Sequence, residues 1–289
     1  MKKVLVTGAN GQLGWELQRF RPEGVELVAL SRQDLDISDT ATVSARVAQE
    51  SPDWIINAAA YTAVDKAESE VSSAEAINVA GAKNLALAAR ETGARLVHVS
   101  TDFVFDGEKS RPYQADDNTN PRGVYGETKC RGEEAVSAVL EDNALILRTA
   151  WVYSSHGNNF VKTMLRLMNE RDELGVVEDQ VGTPTWAAEL ARVIYMAIDQ
   201  SLSGTYHWTD MGVASWYDFA QSIYEIGRSL GLTEREVTIN PIPTEAYPTP
   251  AARPAYSVLS KDALRHAIGY NGIHWRTALT NMLKEVKNG

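Results

Sequence analysis

The sequence is poor in cysteine, in basic charge and in long apolar runs, and each shortage excludes a class of protein. Its single cysteine, Cys130, cannot form an internal disulfide and is typical of a reducing compartment. The net charge of −10 lacks the basic surface that a general nucleic-acid binder needs. No stretch approaches the ~20 apolar residues of a membrane span, and the apolar run at residues 4–6 is too short for a secretory signal. We therefore expect a cytoplasmic protein that binds neither nucleic acid nor a membrane.

Short β-branched runs alternate with longer helical patterns through the first half of the chain. The sequence predicts strands at residues 3–6, 26–30, 54–57, 95–100 and 144–148, with helices at 12–20, 39–50, 72–92 and 124–140. Nearly continuous apolar strands joined by helices are typical of a parallel sheet that is covered on both faces. The predicted fold class is therefore α/β, a doubly wound parallel sheet of the Rossmann type.

The second half is less regular and has the size of a smaller C-terminal substrate-binding lobe. Helical patterns recur at residues 159–170, 187–200, 216–230 and 275–287, with a short strand at 205–208. Five of the ten prolines lie within residues 241–254, so we expect an extended segment there. We assign residues 1–151, with about 183–209, to a dinucleotide-binding domain, and about 152–182 and 210–289 to the substrate-binding lobe.

A glycine-rich turn follows the first predicted strand. Its pattern, G-x-x-G-x-x-G, lies between a strand and a helix, which is the context that gives such a motif meaning. The three glycines allow a tight turn, a close approach of a pyrophosphate and close packing of the helix on the strand. The free N–H groups of the helix N-terminus favour phosphate. We therefore expect this turn to bind a dinucleotide through Gly8, Asn10, Gly11, Gln12, Leu13 and Gly14.

The second strand ends in Ser31-Arg32, where proteins that prefer NAD usually carry an acid for the ribose 2′-hydroxyl. A hydroxyl and a guanidinium suit a 2′-phosphate instead, so we expect NADPH, with NADH as the alternative. Asp36 and Ile37 follow closely and are candidates to frame the adenine.

Tyr125 and Lys129 form a Y-x-x-x-K pair on a predicted helix. Residues at i and i+4 share one helix face, so we expect the ammonium to lower the pKa of the phenol from about 10. The phenol then becomes a usable proton donor. Thr101 lies at the end of the fourth predicted strand, and its hydroxyl is a candidate to hydrogen-bond a substrate carbonyl. Thr101, Tyr125 and Lys129 are our predicted catalytic residues.

Together these residues resemble the extended short-chain dehydrogenase/reductases that act on nucleotide sugars. The resemblance covers nearly the whole chain through TGANGQLGWEL (residues 7–17), NAAAYTAVDKAE (57–68), STDFVFDG (100–107), VYGETK (124–129), RTAWVY (148–153), GNNFVKTML (157–165), DQVGTPT (179–185) and YPTPAARP (247–254). It implies reduction of the 4-keto group of a dTDP-linked deoxysugar, most closely dTDP-4-dehydro-L-rhamnose to dTDP-L-rhamnose, a precursor of cell-surface polysaccharide.

The resemblance also implies roles for residues outside the two motifs. The residues that would line the cofactor are Ala58, Ala59, Ala60 and Thr62. Those that would face the sugar or its phosphates are Val64, Thr101, Asp102, Trp151 and Asn159, with Arg253 gripping the diphosphate. Some such reductases form homodimers around Mg²⁺, which would place it here at Glu16, Glu189 and Glu285.

Three alternatives to a reductase share dinucleotide binding and differ in the chemistry that the site performs. Related dehydratases carry an acid after the Thr-Asp pair, where this chain has Phe103, and elimination needs such a group. A non-catalytic NADP-binding protein, like the regulatory subunit of methionine adenosyltransferase, would bind the cofactor without turnover. An epimerase would retain its cofactor and show no net oxidation of NADPH. The complete Thr101, Tyr125 and Lys129 set favours the reductase.

Overall fold

A computed structural model describes all of residues 1–289, and a six-stranded parallel sheet forms its centre. The strands, in chain order, are β1 (Lys2–Thr7), β2 (Val25–Leu30), β3 (Trp54–Asn57), β4 (Arg95–Thr101), β5 (Ala144–Thr149), β6 (Val152–Tyr153), β7 (Glu173–Val177), β8 (Val181–Gly182), β9 (Thr185–Trp186), β10 (Gly204–His207), β11 (Ala214–Ser215) and β12 (Thr238–Ile242).

Eleven α-helices surround and extend this sheet. They are α1 (Gln12–Arg19), α2 (Thr40–Glu50), α3 (Val64–Ala67), α4 (Val71–Glu75), α5 (Ala82–Thr92), α6 (Val124–Leu140), α7 (Phe160–Glu170), α8 (Ala187–Asp199), α9 (Trp216–Ser229), α10 (Asp262–Ile268) and α11 (Trp275–Asn288). None of them is both long and apolar enough to cross a membrane.

The strand order β2-β1-β3-β4-β5-β10 confirms the predicted doubly wound α/β fold. All five pairings are parallel, and the chain leaves β1 towards β2 but returns to β3 on the opposite side. Connections that diverge in this way open a crevice beyond the carboxyl ends of β1 and β3. The crevice is therefore a consequence of strand order, before any side chain is considered.

Helices cover both faces of the sheet, as apolar strands require. Helices α2, α5 and α6 pack on one face around Leu5 and Leu96, while α1, α8 and α10 pack on the other around Val4 and Leu147. The smaller lobe has a core of its own, in which α7, α9 and α11 surround Phe219, and its strands β7 and β12 pair in parallel.

Two predictions about regular structure are wrong. The helix predicted over residues 72–92 is interrupted by a π-helical turn at Ala76–Gly81, between α4 and α5. The turn allows Asn78 to bond the main chain of Tyr61 and the Thr128 hydroxyl, so tertiary contacts outweigh the helical pattern. The proline-rich segment is not uniformly extended, because Thr244–Ala246 forms one 3₁₀ turn after β12.

The glycine turn gives a testable prediction about packing. A Cβ on Gly14 would overlap the Gly8 carbonyl oxygen, whereas one on Gly24 would meet no atom within 4 Å. We expect Gly14→Ala to lower the free energy of unfolding by about 3 kcal/mol through overpacking against backbone. Gly24→Ala, whose only cost is its left-handed backbone, should lose about 1 kcal/mol. Equal losses in urea denaturation would show that the close approach at Gly14 is not a constraint.

Candidate active site

A single cleft of about 700 Å³ lies at the carboxyl ends of the sheet strands and extends into the smaller lobe. Gly8 follows β1 in its wall, Ala58 follows β3, Thr101 ends β4, and Ala150 follows β5. Trp216, the first residue of α9, belongs to the smaller lobe and lines the same space. The crevice that the strand order opens is thus the same space that the second lobe closes from the side.

The glycine turn is built for a close approach of backbone to ligand. Gly8 has a φ of +71°, and a Cβ there would lie 2.8 Å from the Ala58 carbonyl oxygen, so only glycine fits. Gly11 precedes α1 and brings no side chain to cap it. The first N–H groups of α1 therefore remain available, with the positive end of the helix dipole, for an anion such as a pyrophosphate.

Most of the predicted cofactor residues line this cleft, and three do not. Those in the wall are Gly8, Gly11, Gln12, Leu13, Arg32, Asp36, Ile37, Ala58, Ala59, Ala60, Thr62, Tyr125 and Lys129. Gly14 lies beneath the turn, and Asn10 turns its carbonyl to the His156 ring, 3.1 Å away. The Ser31 hydroxyl donates to the Asp34 carboxylate at 2.6 Å and does not line the cleft, so its contact with the cofactor stays a prediction.

Arg32 is an exposed cation in the cleft wall, close in sequence to Asp36 and Ile37, which line the cleft as well. Its guanidinium makes no hydrogen bond or ion pair within the chain, while the neighbouring Asp36 carboxylate accepts from the Ser38 hydroxyl at 2.7 Å and from its N–H at 3.0 Å. Those two hydrogen bonds lower the pKa of Asp36. Arg32 is thus free to bind an anionic group there.

The three predicted catalytic residues meet at the centre of the cleft. Thr101 ends β4, Tyr125 is the second residue of α6, and Lys129 follows one helical turn later. The Lys129 side chain is almost fully buried, and its ammonium donates to the Val99 carbonyl at 2.7 Å. The side chains of Tyr125 and Lys129 therefore approach the carboxyl end of β4 from one helix.

The expected lowering of the tyrosine pKa is wrong. Burial raises the pKa of Tyr125 to about 12, the Thr101 hydroxyl partly opposes this, and the nearby Asp102 carboxylate adds to it. The physical reason is that Lys129 directs its ammonium to the Val99 carbonyl rather than to the phenol. Tyr125 is therefore protonated at neutral pH, as a free tyrosine is, but in the cleft as it stands its phenol is a weaker acid than a free phenol.

Lys129 is an energetically costly residue. Burial lowers its pKa from 10.5 to about 8, although the Glu133 carboxylate partly opposes the shift. At about 1.4 kcal/mol per unit, the folded protein gives up roughly 3 kcal/mol to keep this amine protonated below pH 8. A buried amine without a carboxylate partner is more typical of a functional site than of a stabilising one.

Asp102 adds a buried carboxyl group beside the hydroxyl of Thr101. It is only 2% exposed, and burial raises its pKa to about 6, with the hydroxyls of Ser257 and Thr101 opposing the shift. One of its oxygens is buried without a hydrogen-bond partner within the chain, so the carboxyl group is free to bind a ligand in the cleft.

The predicted sugar-facing residues Val64, Trp151, Asn159 and Arg253 all line the cleft with Asp102. Trp151 has a positive φ of +48° and stacks on Trp216 with ring centroids 3.6 Å apart. A left-handed backbone at a bulky residue is strained and is found mainly where function holds it in place. The two indoles form the apolar wall of the cleft on the side of the smaller lobe.

Asn159 has a structural role that the sequence interpretation did not include. Its side-chain oxygen accepts from the Lys162 N–H and caps α7, while its amide nitrogen donates to Gln12 at 2.9 Å and to the Ser154 carbonyl at 2.7 Å. Its donors are therefore already engaged, so Asn159 connects the glycine-turn helix to the smaller lobe rather than offering a free amide to a sugar.

The structure does not support the magnesium site expected at three glutamates. No group of three histidine, cysteine, aspartate or glutamate residues could hold a metal ion. Glu16 and Glu285 both pair with Arg19, and Glu189 accepts from the Tyr270 hydroxyl at 2.7 Å and pairs with Arg192. In this structure each of the three carboxylates pairs with an arginine.

Sequence reasoning missed residues that hold the site from a distance. The Glu68 carboxylate accepts from the Val124 N–H at 2.9 Å and so caps the helix that carries Tyr125, which has no side-chain cap of its own. Asn78 bonds Thr128 on the same helix. Neither has a local motif, because each partner lies 50 or more residues away in sequence.

Known proteins resemble this chain over its full length. Residues 1–288 match the family described as the RmlD substrate binding domain. A dTDP-4-dehydrorhamnose reductase from Burkholderia thailandensis is 44% identical over 288 residues, which cover 96% of each protein. The crystal structure of a dTDP-4-dehydrorhamnose reductase from Clostridium acetobutylicum has a TM-score of 0.94 at 44% identity, covering 99% of both chains. One from Bacillus anthracis, solved in complex with NADP, has a TM-score of 0.92 at 40% identity and covers 98% of this chain and 99% of its own.

The cost of the buried amine predicts a stabilising substitution. We expect Lys129→Met to raise the free energy of unfolding at pH 7 by about 1–2 kcal/mol, because the lost hydrogen bond to Val99 offsets part of the gain. The unfolded chain binds more protons than the folded one between pH 8 and 10.5, so wild-type stability rises over that range. The advantage of the variant should therefore shrink as the pH is raised from 8 to 10.5.

Urea denaturation at pH 7 and pH 10 measures this effect. The exposed Lys83 provides the control, since Lys83→Met should leave the free energy of unfolding nearly unchanged at both values. A Lys129→Met protein that is less stable than the wild type at pH 7, or a gain that does not vary with pH, would contradict the assignment.

Proposed function

The chain belongs to the family of the RmlD substrate binding domain, and on that premise we propose that it reduces a nucleotide-linked 4-keto-6-deoxysugar with NADPH. The most specific form of the proposal is conversion of dTDP-4-dehydro-L-rhamnose to dTDP-L-rhamnose, a precursor of cell-surface polysaccharide. The larger domain would hold the dinucleotide, and the smaller lobe would hold the nucleotide of the sugar.

One observation carries the proposal, namely that Thr101, Tyr125 and Lys129 share a cleft with the glycine turn. A dinucleotide whose pyrophosphate lay at the N-terminus of α1 would extend along the carboxyl ends of β1, β3 and β4. The uncapped N–H groups after Gly11 and the close fit of Gly8 on Ala58 suit such a ligand. The names of the relatives and the NADP in one of their structures agree with this use of the cleft.

The mechanism assigns one step to each catalytic side chain. NADPH, when bound, would supply the hydride for the keto carbon. Tyr125, which is protonated at neutral pH, donates the proton that the carbonyl oxygen needs as negative charge develops on it. Thr101 offers a hydroxyl to the same oxygen and so fixes its position. Lys129 presents a buried ammonium from the same helix face and would hold the nicotinamide ribose of the bound dinucleotide.

The sugar-binding side of the cleft explains how such a substrate would be oriented. Trp151 and Val64 supply apolar surface, and the Asp102 carboxyl group offers a polar partner for a ring hydroxyl. Arg253 is the cation on this side, and a guanidinium suits the paired oxygens of a diphosphate. Deoxysugars have both apolar and hydroxylated faces, so a wall of this mixed composition fits them.

Two other functions would use the same cleft but differ from a reductase in whether NADPH is oxidised. A non-catalytic NADP-binding protein would leave NADPH unchanged in the presence of a keto sugar, and an epimerase would interconvert sugars without net oxidation. We expect steady oxidation of NADPH when dTDP-4-dehydro-L-rhamnose is added, with one NADP⁺ formed per sugar reduced. A panel of nucleotide keto sugars that gives no oxidation would overturn the reductase assignment.

Loss of the Tyr125 phenol should lower the rate of reduction without affecting cofactor binding or folding. We expect Tyr125→Phe to lower kcat at least 100-fold, because general acid catalysis contributes about 10²–10⁴-fold. NADPH binding and the thermal midpoint should stay near those of the wild type. Tyr224→Phe, which removes a phenol on α9 outside the cleft, is the matched control and should retain activity. Wild-type turnover by Tyr125→Phe would remove Tyr125 from the mechanism.

Arg32 should determine the preference between the two nicotinamide cofactors. We expect Arg32→Ala to weaken NADPH binding about tenfold, since it removes a charged hydrogen bond to the 2′-phosphate. NADH lacks that phosphate, so its affinity should not change and serves as the internal control. Titration of both cofactors by fluorescence provides the test, and an equal loss of affinity for the two would show that Arg32 does not contact the 2′-phosphate.

A further inference from the structure

The arginine proposed to grip the diphosphate is already held by a carboxylate from the other lobe. Its Nη1 and Nη2 donate to separate oxygens of Asp65, at 2.9 and 2.7 Å. Asp65 lies on α3 in the first half of the chain, whereas Arg253 belongs to the proline-rich segment 188 residues later. Two parallel bonds between planar groups fix orientation as well as distance. The pair therefore determines how the guanidinium lies against the cleft.

The same carboxylate also fastens the main chain of the segment. The Ala251 N–H donates to Asp65 at 3.2 Å, so one side chain holds both the backbone and the arginine of residues 251–253. Pro254 packs against Gly107 so closely that a Cβ on that glycine would lie 2.5 Å from the Pro254 Cβ. Asp65 from one side and Gly107 from the other thus set the position of the segment.

The hydrogen bonds of Arg253 leave one edge of its guanidinium unused. Nη1 donates to Asp65, to the Thr249 hydroxyl at 2.7 Å and to the Ala251 carbonyl at 2.8 Å. Nη2 donates only to Asp65, and Nε makes no hydrogen bond within the chain. The edge formed by Nε and the second N–H of Nη2 is the geometry that binds two oxygens of a phosphate. Because Arg253 lines the cleft, this free edge can receive a ligand while Asp65 remains bound.

We propose that Asp65 is a positioning residue, which orients Arg253 towards the substrate's diphosphate and thereby sets substrate affinity without touching the substrate. This inference rests on the proposed function, and it adds a residue to it. The Arg253 guanidinium holds the pKa of Asp65 below its ordinary value, so the carboxylate is ionised at neutral pH. The Asp65 and Arg253 side chains are 40% and 24% exposed, and ion pairs of that exposure contribute little to stability. We therefore expect the Asp65–Arg253 pair to affect the affinity for the substrate's diphosphate rather than the stability of the fold.

Asp65→Asn tests the proposal, because asparagine keeps the shape but loses the charge and one acceptor. We expect KM for dTDP-4-dehydro-L-rhamnose and Kd for dTDP to rise about tenfold, the size of a weakened charged hydrogen bond. The value of kcat should stay within twofold of the wild type, and NADPH binding and the thermal midpoint should be unchanged. A purely structural role would instead lower the thermal midpoint and affect both ligands.

Three further variants keep the test decisive. Glu75→Gln is the matched control, because the exposed Glu75–Arg131 pair lies outside the cleft and should not affect dTDP binding. Arg253→Ala should weaken dTDP binding more than Asp65→Asn does. The double variant Asp65→Asn with Arg253→Ala should bind dTDP no more weakly than Arg253→Ala alone, because the carboxylate acts only through the arginine.

The outcomes separate this inference from the proposed function. Asp65→Asn with wild-type dTDP affinity, while Arg253→Ala is weakened, would overturn the positioning role alone. Tighter dTDP binding by Asp65→Asn would also overturn it, because the carboxylate would then compete with the diphosphate for the guanidinium. Unchanged dTDP binding by Arg253→Ala would overturn both the positioning role of Asp65 and the contact of Arg253 with the diphosphate. The reductase proposal would still stand or fall on the oxidation of NADPH.

Discussion

The close approach of the turn after β1 to the backbone after β3 is the constraint on which the site depends. Gly8 lies against Ala58 because these two strands are neighbours whose connections leave in opposite directions. A side chain at Gly8 would collide with the backbone of Ala58. Any other strand order would place the crevice at a different pair of strands. Thr101 and Lys129 reach the same opening because β4 pairs with β3 in the sheet and α6 packs on a face of that sheet. The strand order of the sheet therefore determines where the predicted catalytic residues lie.

Buried ionisable groups at the centre of this opening lower the stability of the fold, and the apolar core around it offsets that loss. The buried ammonium of Lys129 and the buried carboxyl group of Asp102 both have pKa values displaced against their charged forms. Apolar strands such as β3, all of whose residues are buried, supply the stabilisation that offsets such a cost. Supporting contacts from Glu68 and Asn78 hold the helix that carries Tyr125 without entering the cleft. The rigidity of the site thus comes from residues that take no part in the chemistry.

The first half of the fold could be predicted because its signals are local. The bounds of β3 and α6 follow directly from apolar periodicity, and the glycine turn is recognisable from its place between a strand and a helix. The two-residue strands of the smaller lobe and the pairing of Asp65 with Arg253 depend on partners far away in sequence, which no local pattern encodes. The raised pKa of Tyr125 could not be foreseen either, because it depends on burial and on where the Lys129 ammonium points.

In the proposed reaction, the nicotinamide of a bound dinucleotide and the keto carbon of a sugar meet beside the Tyr125 phenol. Transfer of deuterium would show this, using NADPH labelled at the transferable position of nicotinamide C4 and dTDP-4-dehydro-L-rhamnose as the acceptor. We expect one deuterium on C4 of the product sugar, with an equal amount of NADP⁺ formed. A reduced sugar without deuterium at C4, or with deuterium at another ring carbon, would contradict it.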